Sequence, residues 1–295
     1  MIWNPASGRG RGARMHEHLR AAFASHGIDD LRHTLAPGDE ARLVHEAIAD
    51  SIETIVVAGG DGTWGKCAVA LGKAGSPARM AFVAAGTGND FAKNLRAPAR
   101  DLEAMAALVA GGGVERRVDL GRVDDAWFAN VAGFGFDVAV LHASKRIPLL
   151  RGPAVYVAAA LHELLGYAGL DARLSGTGED PTRWQRRLMV VFANGKEFGG
   201  TFRIAPDALV DDGRLNALVF NDFAKAARVP LLIGALRGTH VRNPRVRHIA
   251  AGTFTLECRE APWVELDGEL HRASGPSVTI ASVPSVLRVL DAPPD

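Results

Sequence analysis

The stretch TIVVAGGDGT, residues 54–63, decides how the first half of this chain folds. Its first five residues form an uninterrupted run of apolar or β-branched side chains, which is typical of a strand buried on both faces of a parallel sheet. Three glycines follow within four positions, and they let backbone amides approach an anion closely. A helix beginning at Trp64 would direct its positive end toward the same point. The stretch therefore predicts a strand, a turn that fits a phosphate group, and a helix.

Asp61 stands inside this glycine turn, where its carboxylate would repel a phosphate unless a cation lay between them. Mg²⁺ is the usual cation beside transferred phosphates, so Asp61 is a candidate partner of Mg²⁺ or, alternatively, a candidate proton acceptor. A plain structural turn explains the glycines as well, because glycine is favoured wherever a strand-to-helix turn needs a positive φ. The motif alone leaves these alternatives open.

A second glycine turn, GTGNDFA at residues 86–92, follows the next predicted strand at residues 80–84. Either Asn89 or Asp90 is expected to cap the helix that starts there. Two such turns after neighbouring parallel strands would face the same crevice, which is where open α/β sheets bind ligands. The pair of turns therefore favours a ligand site over two plain turns. Neither turn matches the P-loop or the dinucleotide-binding pattern.

The rest of the first half alternates segments of strand and helix character. Helical spacing of apolar residues runs through residues 11–25, and another helix is expected from Asp39. Short strands are expected before Asn4 and at residues 30–35. Strands that alternate with helices predict a doubly wound α/β nucleotide-binding domain with a parallel sheet, here residues 1–125.

After about Val114 the pattern changes to short β-like runs separated by glycine, asparagine and aspartate, and helical periodicity continues only around residues 153–169. This pattern predicts a mostly antiparallel β-sandwich domain in residues 126–295, with the last strand able to return to the first domain. The β-like runs are residues 127–131, 188–193, 215–220, 254–258, 263–266 and 278–281.

The composition is that of an ordinary globular protein, with 47% hydrophobic and 23% charged residues among 295. The formal net charge of +1 argues against bulk electrostatic binding of nucleic acid. Two cysteines are too few for a disulfide-rich scaffold and fit a reducing compartment. No apolar run is long enough to span a bilayer, and the first residues lack the zones of a signal peptide. A cytoplasmic protein is therefore expected.

Two acidic turns stand out in the second half, APDALVDDGR at residues 205–214 and LDGE at residues 266–269. Asp-Gly between β-like runs is first of all a hairpin signal. Carboxylates beside exposed carbonyl groups also suit a hard cation such as Mg²⁺. The hairpin is the simpler interpretation of both turns, and residue spacing alone does not decide against it.

Taken together, these motifs resemble the bacterial lipid kinases of the diacylglycerol kinase family, whose catalytic fold is shared with sphingosine kinases. GGDGT at residues 59–63 also occurs in NAD kinases, whereas GTGNDFA and the two acidic turns favour the lipid kinases. The resemblance extends over nearly the whole chain. It further rests on N-P-x-S-G at residues 4–8, on Thr34 followed by Gly38-Asp39, and on Phe198-Gly199-Gly200.

The resemblance implies ATP- and Mg²⁺-dependent phosphorylation of diacylglycerol or a related lipid alcohol, with ATP in the cleft between the domains. Glu269 matches the proton acceptor of the family, and Asp61 would work with the catalytic Mg²⁺ or serve as the base. A second, structural Mg²⁺ would bind the Asp212 carboxylate and the main-chain carbonyls of Leu209 and Arg214. The ATP site would be lined by Asn4, Thr34, Gly59, Gly60, Asp61, Gly62, Thr63 and Thr87.

Two features depart from the family pattern. The family usually continues GGDGT with a hydrophobic residue and then Asn-Glu, whereas here Trp64 is followed by Gly65 and Lys66. Lys66 could bind phosphate directly or displace the metal by repulsion. The short run before Asn4 also leaves little of the usual first strand. Two alternatives therefore stay open: an NAD-kinase-like kinase of a small molecule, and a catalytically silent protein that binds nucleotide or lipid.

A lipid substrate implies contact with a membrane surface, so peripheral attachment to the inner face of the membrane is expected from the substrate class. The basic run at residues 237–248 could contact anionic headgroups, although a solvated loop is the simpler interpretation. The apolar face around residues 155–165 could dock to lipid or could only close the core.

Overall fold

The computed structural model describes residues 1–144, 153–164, 166–178 and 180–294, without the side chains of residues 153–157. The chain divides into two compact units, Met1–Leu120 with Ser285–Asp295, and Gly121–Pro284. The domain boundary expected after residue 125 stays a prediction. Among the described helices, none is both long enough and apolar enough to cross a membrane.

Strands and helices alternate as far as Ala84, and strands predominate afterwards. The elements are, in chain order, β1 (Ile2–Trp3), α1 (Ser7–Ala24), β2 (Arg32–His33), α2 (Asp39–Ala49), β3 (Thr54–Gly59), α3 (Asp61–Ala74), β4 (Arg79–Ala84), α4 (Leu102–Ala107), β5 (Val114–Val123), β6 (Ala126–Phe128), β7 (Val131–Gly135), α5 (Phe136–Ser144), α6 (Pro153–Leu164), β8 (Leu170–Ser175), β9 (Gln185–Ala193), β10 (Leu215–Asn221), α7 (Lys225–Arg237), β11 (Val246–Ala251), β12 (Thr253–Cys258), β13 (Trp263–Leu266), β14 (Glu269–Arg272) and β15 (Ser277–Asp291).

The first unit contains a sheet of parallel strands in the order β2-β1-β3-β4-β15. Successive side chains of a strand point to opposite faces of the sheet. Val56 and Ala58 of β3 pack in one core cluster with α1 and α4. On the other face Phe82 of β4 meets Trp64 of α3 edge to face, with ring centroids 5.3 Å apart. Helices cover both faces of the sheet, so the predicted doubly wound α/β fold is confirmed.

Gly60 alone joins β3 to α3, because the strand ends at Gly59 and the helix begins at Asp61. The Trp64 side chain is completely buried, and its Nε1 donates a hydrogen bond of 3.0 Å to the Val57 carbonyl. This bond ties the first turn of α3 to β3. Since β3 and β4 are parallel, the turns that follow them lie at the same edge of the sheet.

The second unit is a mostly antiparallel β domain, as predicted. Strand β9 pairs with β7, β8 and β10, and β13 pairs with β7 and β14, in every case antiparallel. Its core includes the fully buried rings of Phe134, Phe192 and Phe254, which contact one another through Phe192. The β-like run at residues 127–131 is divided between β6 and β7, and the run at residues 278–281 is part of the longer β15.

The predicted second half lacked two helices, α5 and α7, because its sequence shows helical periodicity only around residues 153–169. Helix α5 is apolar on most sides, and its valines favour strands, so its sequence shows no helical period. Helix α7 contains Pro230, which usually ends a helix. Buried Arg228 ties α7 to the chain around it, since its guanidinium donates to the carbonyls of Leu164, Tyr167 and Phe223.

Candidate active site

The two glycine turns contact each other directly. A Cβ atom added to Gly86 would lie 2.5 Å from the Cα of Gly60, so neither turn has room for a side chain at this point. The Gly59 carbonyl accepts hydrogen bonds from the amides of Ala85 (2.8 Å) and Gly86 (3.1 Å). The predicted meeting of the turns at one edge of the sheet is confirmed, and close backbone approach explains these glycines.

The Asp61 carboxylate links the two turns. Its Oδ2 accepts a hydrogen bond from the amide of Asn89 at 2.6 Å, and its Oδ1 accepts from the amides of Asp90 at 2.5 Å and Phe91 at 3.4 Å. Asn89 and Asp90 directly precede the short 3₁₀ helix Phe91–Asn94, and Phe91 is its first residue. Asp61 therefore holds the backbone at the start of that helix from the neighbouring turn.

Asp90 occupies the predicted N-cap position of this helix, but neither its side chain nor that of Asn89 makes a capping hydrogen bond. Asn89 has a φ of +54°, and its side chain bonds to the amide and the carbonyl of Gly86, both at 3.1 Å. The Asp90 side chain makes no capping bond and pairs with Lys93 at 2.7 Å. The Asn89 side chain therefore stabilises the second turn itself. The carboxylate that binds the amides at the start of the helix belongs to Asp61 on the first turn.

Burial, and secondarily the nearby Asp90 carboxylate, raises the pKa of Asp61 to about 6, although three amide hydrogen bonds oppose the shift. A carboxylate with a raised pKa is a better proton acceptor than an ordinary aspartate. Both oxygens are bonded to backbone amides, however, so Asp61 first of all holds the turns together. The two chemical roles considered for it, partner of Mg²⁺ and base, stay predictions.

The other candidate ATP-binding residues of the first unit lie after neighbouring strands. Asn4 follows β1 and donates from Nδ2 to the Thr63 hydroxyl at 2.8 Å. Thr34 follows β2 and is buried, with its amide donating to the Trp3 carbonyl at 3.0 Å. Thr87 is exposed in the second turn. The sheet gathers these side chains at the edge where the glycine turns meet, and their roles in binding ATP stay predictions.

Sequence reasoning singled out the motif at residues 4–8 but missed the contact that residues 8–11 make with the second glycine turn. Residues 8–10 have left-handed backbone, with φ from +55° to +81°. A Cβ atom on Gly8 would lie 2.1 Å from the carbonyl oxygen of Ala85, and the Arg11 guanidinium donates to the Gly86 carbonyl at 3.2 Å. The segment therefore packs on the second turn and brings a cation to it. Its glycine- and arginine-rich sequence, GRGRG, is the signal that points to such a contact.

Gly65 and Lys66, which depart from the family pattern, lie in α3 directly after its buried Trp64. Gly65 is buried, and Lys66 is partly exposed. The two roles considered for Lys66, phosphate binding and displacement of a metal, stay predictions.

In the second unit, LDGE forms a two-residue β-hairpin. Leu266 ends β13, Glu269 begins β14, and the two residues pair directly. Asp267 and Gly268 have φ values of +47° and +90°, the left-handed region that such a turn requires. The hairpin interpretation is confirmed, and it leaves Glu269 exposed at the first position of β14. The hairpin is compatible with a catalytic carboxylate at that position.

The Asp267 carboxylate anchors this hairpin. It accepts hydrogen bonds from the amides of Ala129 (2.6 Å), Asn130 (2.9 Å) and Val131 (2.9 Å). Burial raises the pKa of Asp267, although these three bonds oppose the shift. The backbone leading into β7 therefore fixes the turn, and with it the point from which the Glu269 side chain extends.

Asp212-Gly213 forms no tight hairpin turn, although the strands on either side of this connection do pair. Strands β9 and β10 are antiparallel neighbours, and residues 194–214 form the long irregular connection between them. The Arg214 amide donates to Asp212 Oδ1 at 2.9 Å, and Gly213 has a φ of +73°. An Asp side chain that accepts from the amide two residues later forms an Asx turn, which uses Asp-Gly as readily as a hairpin does.

The residue types of this Asx turn fit a Mg²⁺ ion. Asp212 is exposed and keeps a second carboxylate oxygen, and the carbonyls of Leu209 and Arg214 would complete a donor set made only of oxygen, as Mg²⁺ prefers. Within the described ranges, no group of three or more His, Cys, Asp or Glu could hold a metal. A metal bound here would therefore depend on one carboxylate, main-chain carbonyls and water.

Comparisons with known proteins agree with this architecture. Residues 1–123 match the profile of the diacylglycerol kinase catalytic domain, and residues 130–291 match that of the YegS C-terminal NAD kinase beta sandwich-like domain. A "Diacylglycerol kinase" of Mycobacterium tuberculosis (strain H37Rv) is 29% identical, over 98% of this chain and 93% of the relative. A "Probable lipid kinase YegS-like" of Xanthomonas euvesicatoria is 34% identical, over 80% of this chain and 75% of the relative. A solved diacylglycerol kinase structure from Bacillus anthracis str. Sterne has the same fold, with a TM-score of 0.75 at 20% identity over 99% of this chain and 96% of the other.

Proposed function

Because this chain belongs to the diacylglycerol kinase family of lipid kinases, we propose that it transfers the γ-phosphate of ATP, with Mg²⁺, to the hydroxyl of diacylglycerol or a related lipid alcohol. The observation that carries this proposal is the contact between the two glycine turns, held by Asp61. It places backbone amides and the N-terminus of α3 at one edge of the sheet, where they would attract phosphate. Phosphoryl transfer depends mainly on such positioning and on neutralising charge.

ATP would bind at this edge of the first unit. Its phosphates would lie against the first glycine turn, where a Cβ atom on Gly62 would meet no atom within 4 Å, so the backbone is open to a ligand. The Arg11 guanidinium, held at the second turn, would attract the same phosphates. The exposed Thr87 hydroxyl supports a further hydrogen bond. The complete proposed set is Asn4, Thr34, Gly59, Gly60, Asp61, Gly62, Thr63 and Thr87.

Glu269 would accept the proton of the lipid hydroxyl while the hydroxyl oxygen forms its bond to the γ-phosphorus and the bond to ADP breaks. Its exposed position on a hairpin anchored by Asp267 supports this role, because a proton acceptor must be both accessible and held in place. Mg²⁺, when bound, would neutralise charge on the phosphates, and Asp61 is the candidate to hold it in the first unit.

The proposed activity is tested by transfer of labelled γ-phosphate from ATP to a panel of lipids in detergent micelles, with and without Mg²⁺. Mg²⁺-dependent labelling of one lipid class supports the proposal and identifies the substrate. Labelling of NAD without labelling of any lipid would favour the small-molecule kinase. A folded protein that binds ATP and labels neither would be a silent binding protein.

Replacing Asp212 with alanine should abolish the stabilisation of this protein by Mg²⁺ in the absence of ATP, because the other proposed Mg²⁺ binds with the ATP phosphates. A ligand that binds only the folded state stabilises it, by about 2.7 kcal/mol at a hundred times its Kd. We therefore expect Mg²⁺ to raise the Tm of the unmodified protein and to leave the Tm of Asp212→Ala unchanged. Thermal unfolding with added MgCl₂ or EDTA measures both. The matched control is Asp207→Ala, an exposed aspartate of the same loop, which should respond to Mg²⁺ like the unmodified protein.

An equal response of Asp212→Ala and the unmodified protein to Mg²⁺ would remove the metal from this turn. The Asx turn would then have only its structural role, with the Arg214 amide bonded to the Asp212 carboxylate.

We further propose that α7 contacts an anionic membrane surface. Val229 and Ile233 are one helical turn apart, and they are 40% and 44% exposed. Exposed cations flank them along the same side of the helix and just beyond it: Lys225, Arg237, Arg242 and Arg245. Residues 222–248 contain six Lys or Arg and one Asp, although the whole chain has a net charge of only +1. An apolar centre with basic ends is complementary to an anionic bilayer.

The apolar face expected around residues 155–165 lies partly outside the described residues, which exclude the side chains of residues 153–157 and all of residue 165. The membrane proposal therefore rests on α7 alone.

Replacing Val229 with aspartate should weaken binding to anionic phospholipid vesicles several-fold, because it places a negative charge where an apolar side chain would enter the interface. The same substitution at Val114, which is 37% exposed in the first unit, is the matched control and should leave vesicle binding unchanged. Sedimentation with phosphatidylglycerol vesicles measures both variants. Equal binding by Val229→Asp and the unmodified protein would exclude this face.

A further inference from the structure

Asp137 and Glu265 form a pair of buried carboxyl groups beside the hairpin that carries Glu269. Asp137 lies in the first turn of α5 and is 6% exposed, and Glu265 lies in β13 and is 4% exposed. The two side chains interact directly. Neither residue belongs to the ATP-binding, metal-binding or proton-accepting sets proposed above.

A glycine in β7 makes room for this pair. Gly133 lies opposite Glu265 in the ladder between β7 and β13. A Cβ atom on Gly133 would lie 1.6 Å from Asp137 Oδ2, so the Asp137 side chain occupies the space that any other residue at position 133 would fill. Asp137 thus folds back over β7 to meet Glu265 on the neighbouring strand.

The contact requires a proton. Asp137 Oδ2 and Glu265 Oε2 are both buried, and neither has a hydrogen-bond donor in the described part of the chain. Two ionised carboxylates in contact repel each other, and in a buried site the repulsion is strong. A single shared proton removes one charge and supplies the missing donor.

Glu265 is the member that holds the proton. Burial raises the pKa of the Glu265 carboxyl well above its ordinary value, and the negative charge of Asp137 raises it further. Burial also raises the pKa of Asp137, to about 6, while its bond to Glu265 lowers it. The same Glu265 side chain is bonded through Oε1 to the amide of Gly268, the residue directly before Glu269.

We propose that Asp137 and Glu265 share one proton and thereby hold the Asp267–Gly268 turn in the shape that directs Glu269 toward the lipid hydroxyl. Both are positioning residues, and they act on the turn through the hydrogen bond from the Gly268 amide to Glu265. The Asp267 carboxylate holds the turn separately, through its bonds to the backbone before β7. This inference rests on the proposed function, because it assigns the pair a role only if Glu269 accepts the proton in the reaction.

The proposal predicts that the turn loosens as pH rises. The pKa of Glu265 is higher in the folded state than in the unfolded state. As pH rises, the unfolded chain therefore loses this proton first, at the ordinary pKa of glutamate, while the folded protein still holds it. The proton therefore contributes its full stabilisation at pH values below the ordinary pKa of glutamate. This stabilisation is lost as pH rises through the raised pKa of Glu265 in the folded state. Loss of the proton leaves two adjacent negative charges at the base of the hairpin.

The charges around the pair do not relieve this repulsion. The turn contributes Asp267, whose negative charge further raises the pKa of Glu265. Strand β7 carries no titratable side chain. On β14, His271 and Arg272 lie opposite Val264 and Trp263 rather than opposite Glu265. On α5, the His142 ring packs edge to face against Trp263.

The test compares Glu265→Gln with Glu265→Ala. A glutamine amide donates to Asp137 without any titratable proton, so Glu265→Gln should keep the kcat of the unmodified protein at neutral pH and lose its alkaline decline in kcat and Tm. Glu265→Ala removes the link to Gly268 and should lower kcat about tenfold or more at an unchanged KM for ATP, because Glu269 is misplaced. The control is Glu260→Gln, at an exposed site, which should keep the pH profile of the unmodified protein.

A readout independent of activity is the infrared spectrum. The unmodified protein should show a protonated-carboxyl band that disappears at alkaline pH, and Glu265→Gln should lack that band. If Glu265→Ala does not fold, the infrared spectra of the unmodified protein and of Glu265→Gln still test whether the pair shares a proton. Absence of the band from the unmodified protein, or identical pH profiles of Tm for it and Glu265→Gln, would overturn the proposal.

Glu269→Gln, assayed in parallel, separates the two levels of inference. If Glu269→Gln is inactive while Glu265→Ala has the kcat of the unmodified protein at every pH, the positioning role is overturned and the proposed function stands. If Glu269→Gln is fully active, the proposed proton acceptor is wrong, and the positioning role is overturned with it.

Discussion

Replacing Glu269 with alanine should lower the kcat of lipid phosphorylation by about 10² to 10⁴-fold, the usual contribution of a general base, and should leave ATP affinity unchanged. The expected separation of the two effects follows from the structure. Glu269 is exposed at the first position of β14 and lies in the second unit, whereas the glycine turns proposed to bind ATP lie in the first unit. An exposed side chain at such a site should change the free energy of unfolding by no more than about 0.5 kcal/mol.

The measurement is the initial rate of γ-phosphate transfer to the lipid identified in the panel, together with calorimetric titration of ATP. Glu260→Ala, an exposed glutamate of the same unit, is the matched control and should keep its kcat. A kcat for Glu269→Ala equal to that of the control would remove Glu269 from the reaction. Loss of ATP affinity as well as kcat would show that the residue acts in nucleotide binding instead.

Replacing Asp61 with alanine should abolish ATP binding as well as activity, and should destabilise the first unit. The carboxylate accepts hydrogen bonds from three backbone amides of the second turn, and leaving a buried donor unpaired costs about 1–3 kcal/mol. Without this link the second glycine turn is no longer held against the first. Calorimetric titration of ATP and thermal unfolding measure the two effects, and an unchanged Tm with unchanged ATP affinity would contradict the linking role.

Asp61→Asn distinguishes the structural role of Asp61 from its proposed chemical roles. An asparagine keeps one acceptor oxygen for the amides of the second turn but has no negative charge to bind Mg²⁺ and no basic site to accept a proton. If Asp61 also takes part in the chemistry, Asp61→Asn should keep a larger share of ATP affinity than Asp61→Ala and still lose kcat. A kcat for Asp61→Asn near that of the unmodified protein would leave Asp61 with the linking role alone.

The first unit could be predicted well because its signals are local. The run TIVVA predicts a buried strand from five adjacent residues, and the glycines after it predict a tight turn whatever the rest of the chain does. The second unit was harder to predict because α5 and α7 lack the local signals of a helix: α5 is apolar on most sides, and α7 contains Pro230. In both helices, packing outweighs local preference.

The candidate site was only half predictable, for a related reason. Asp61 and Asp267 could be singled out as carboxylates in glycine turns, but a carboxylate in such a turn can equally hold a metal, accept a proton or cap backbone amides. The role of each carboxylate depends on which backbone amides lie beside it. These amides are 28 residues away in the sequence for Asp61 and 138 residues away for Asp267. The contact of Arg11 with the second turn could not be predicted for the same reason.

The sequence by itself determined the fold class, the two glycine turns, the acidic hairpin and the resemblance to lipid kinases, because each depends on the order of neighbouring residues. Only the tertiary structure decided that Asp61 binds backbone amides at the start of a helix on the other turn, that Asp212-Gly213 lies in a long connection rather than a tight hairpin, and that Asp137 and Glu265 meet over Gly133. Hydrogen bonds and buried charges depend on which distant segments pack together. Packing is a property of the whole chain, so no local pattern contains it.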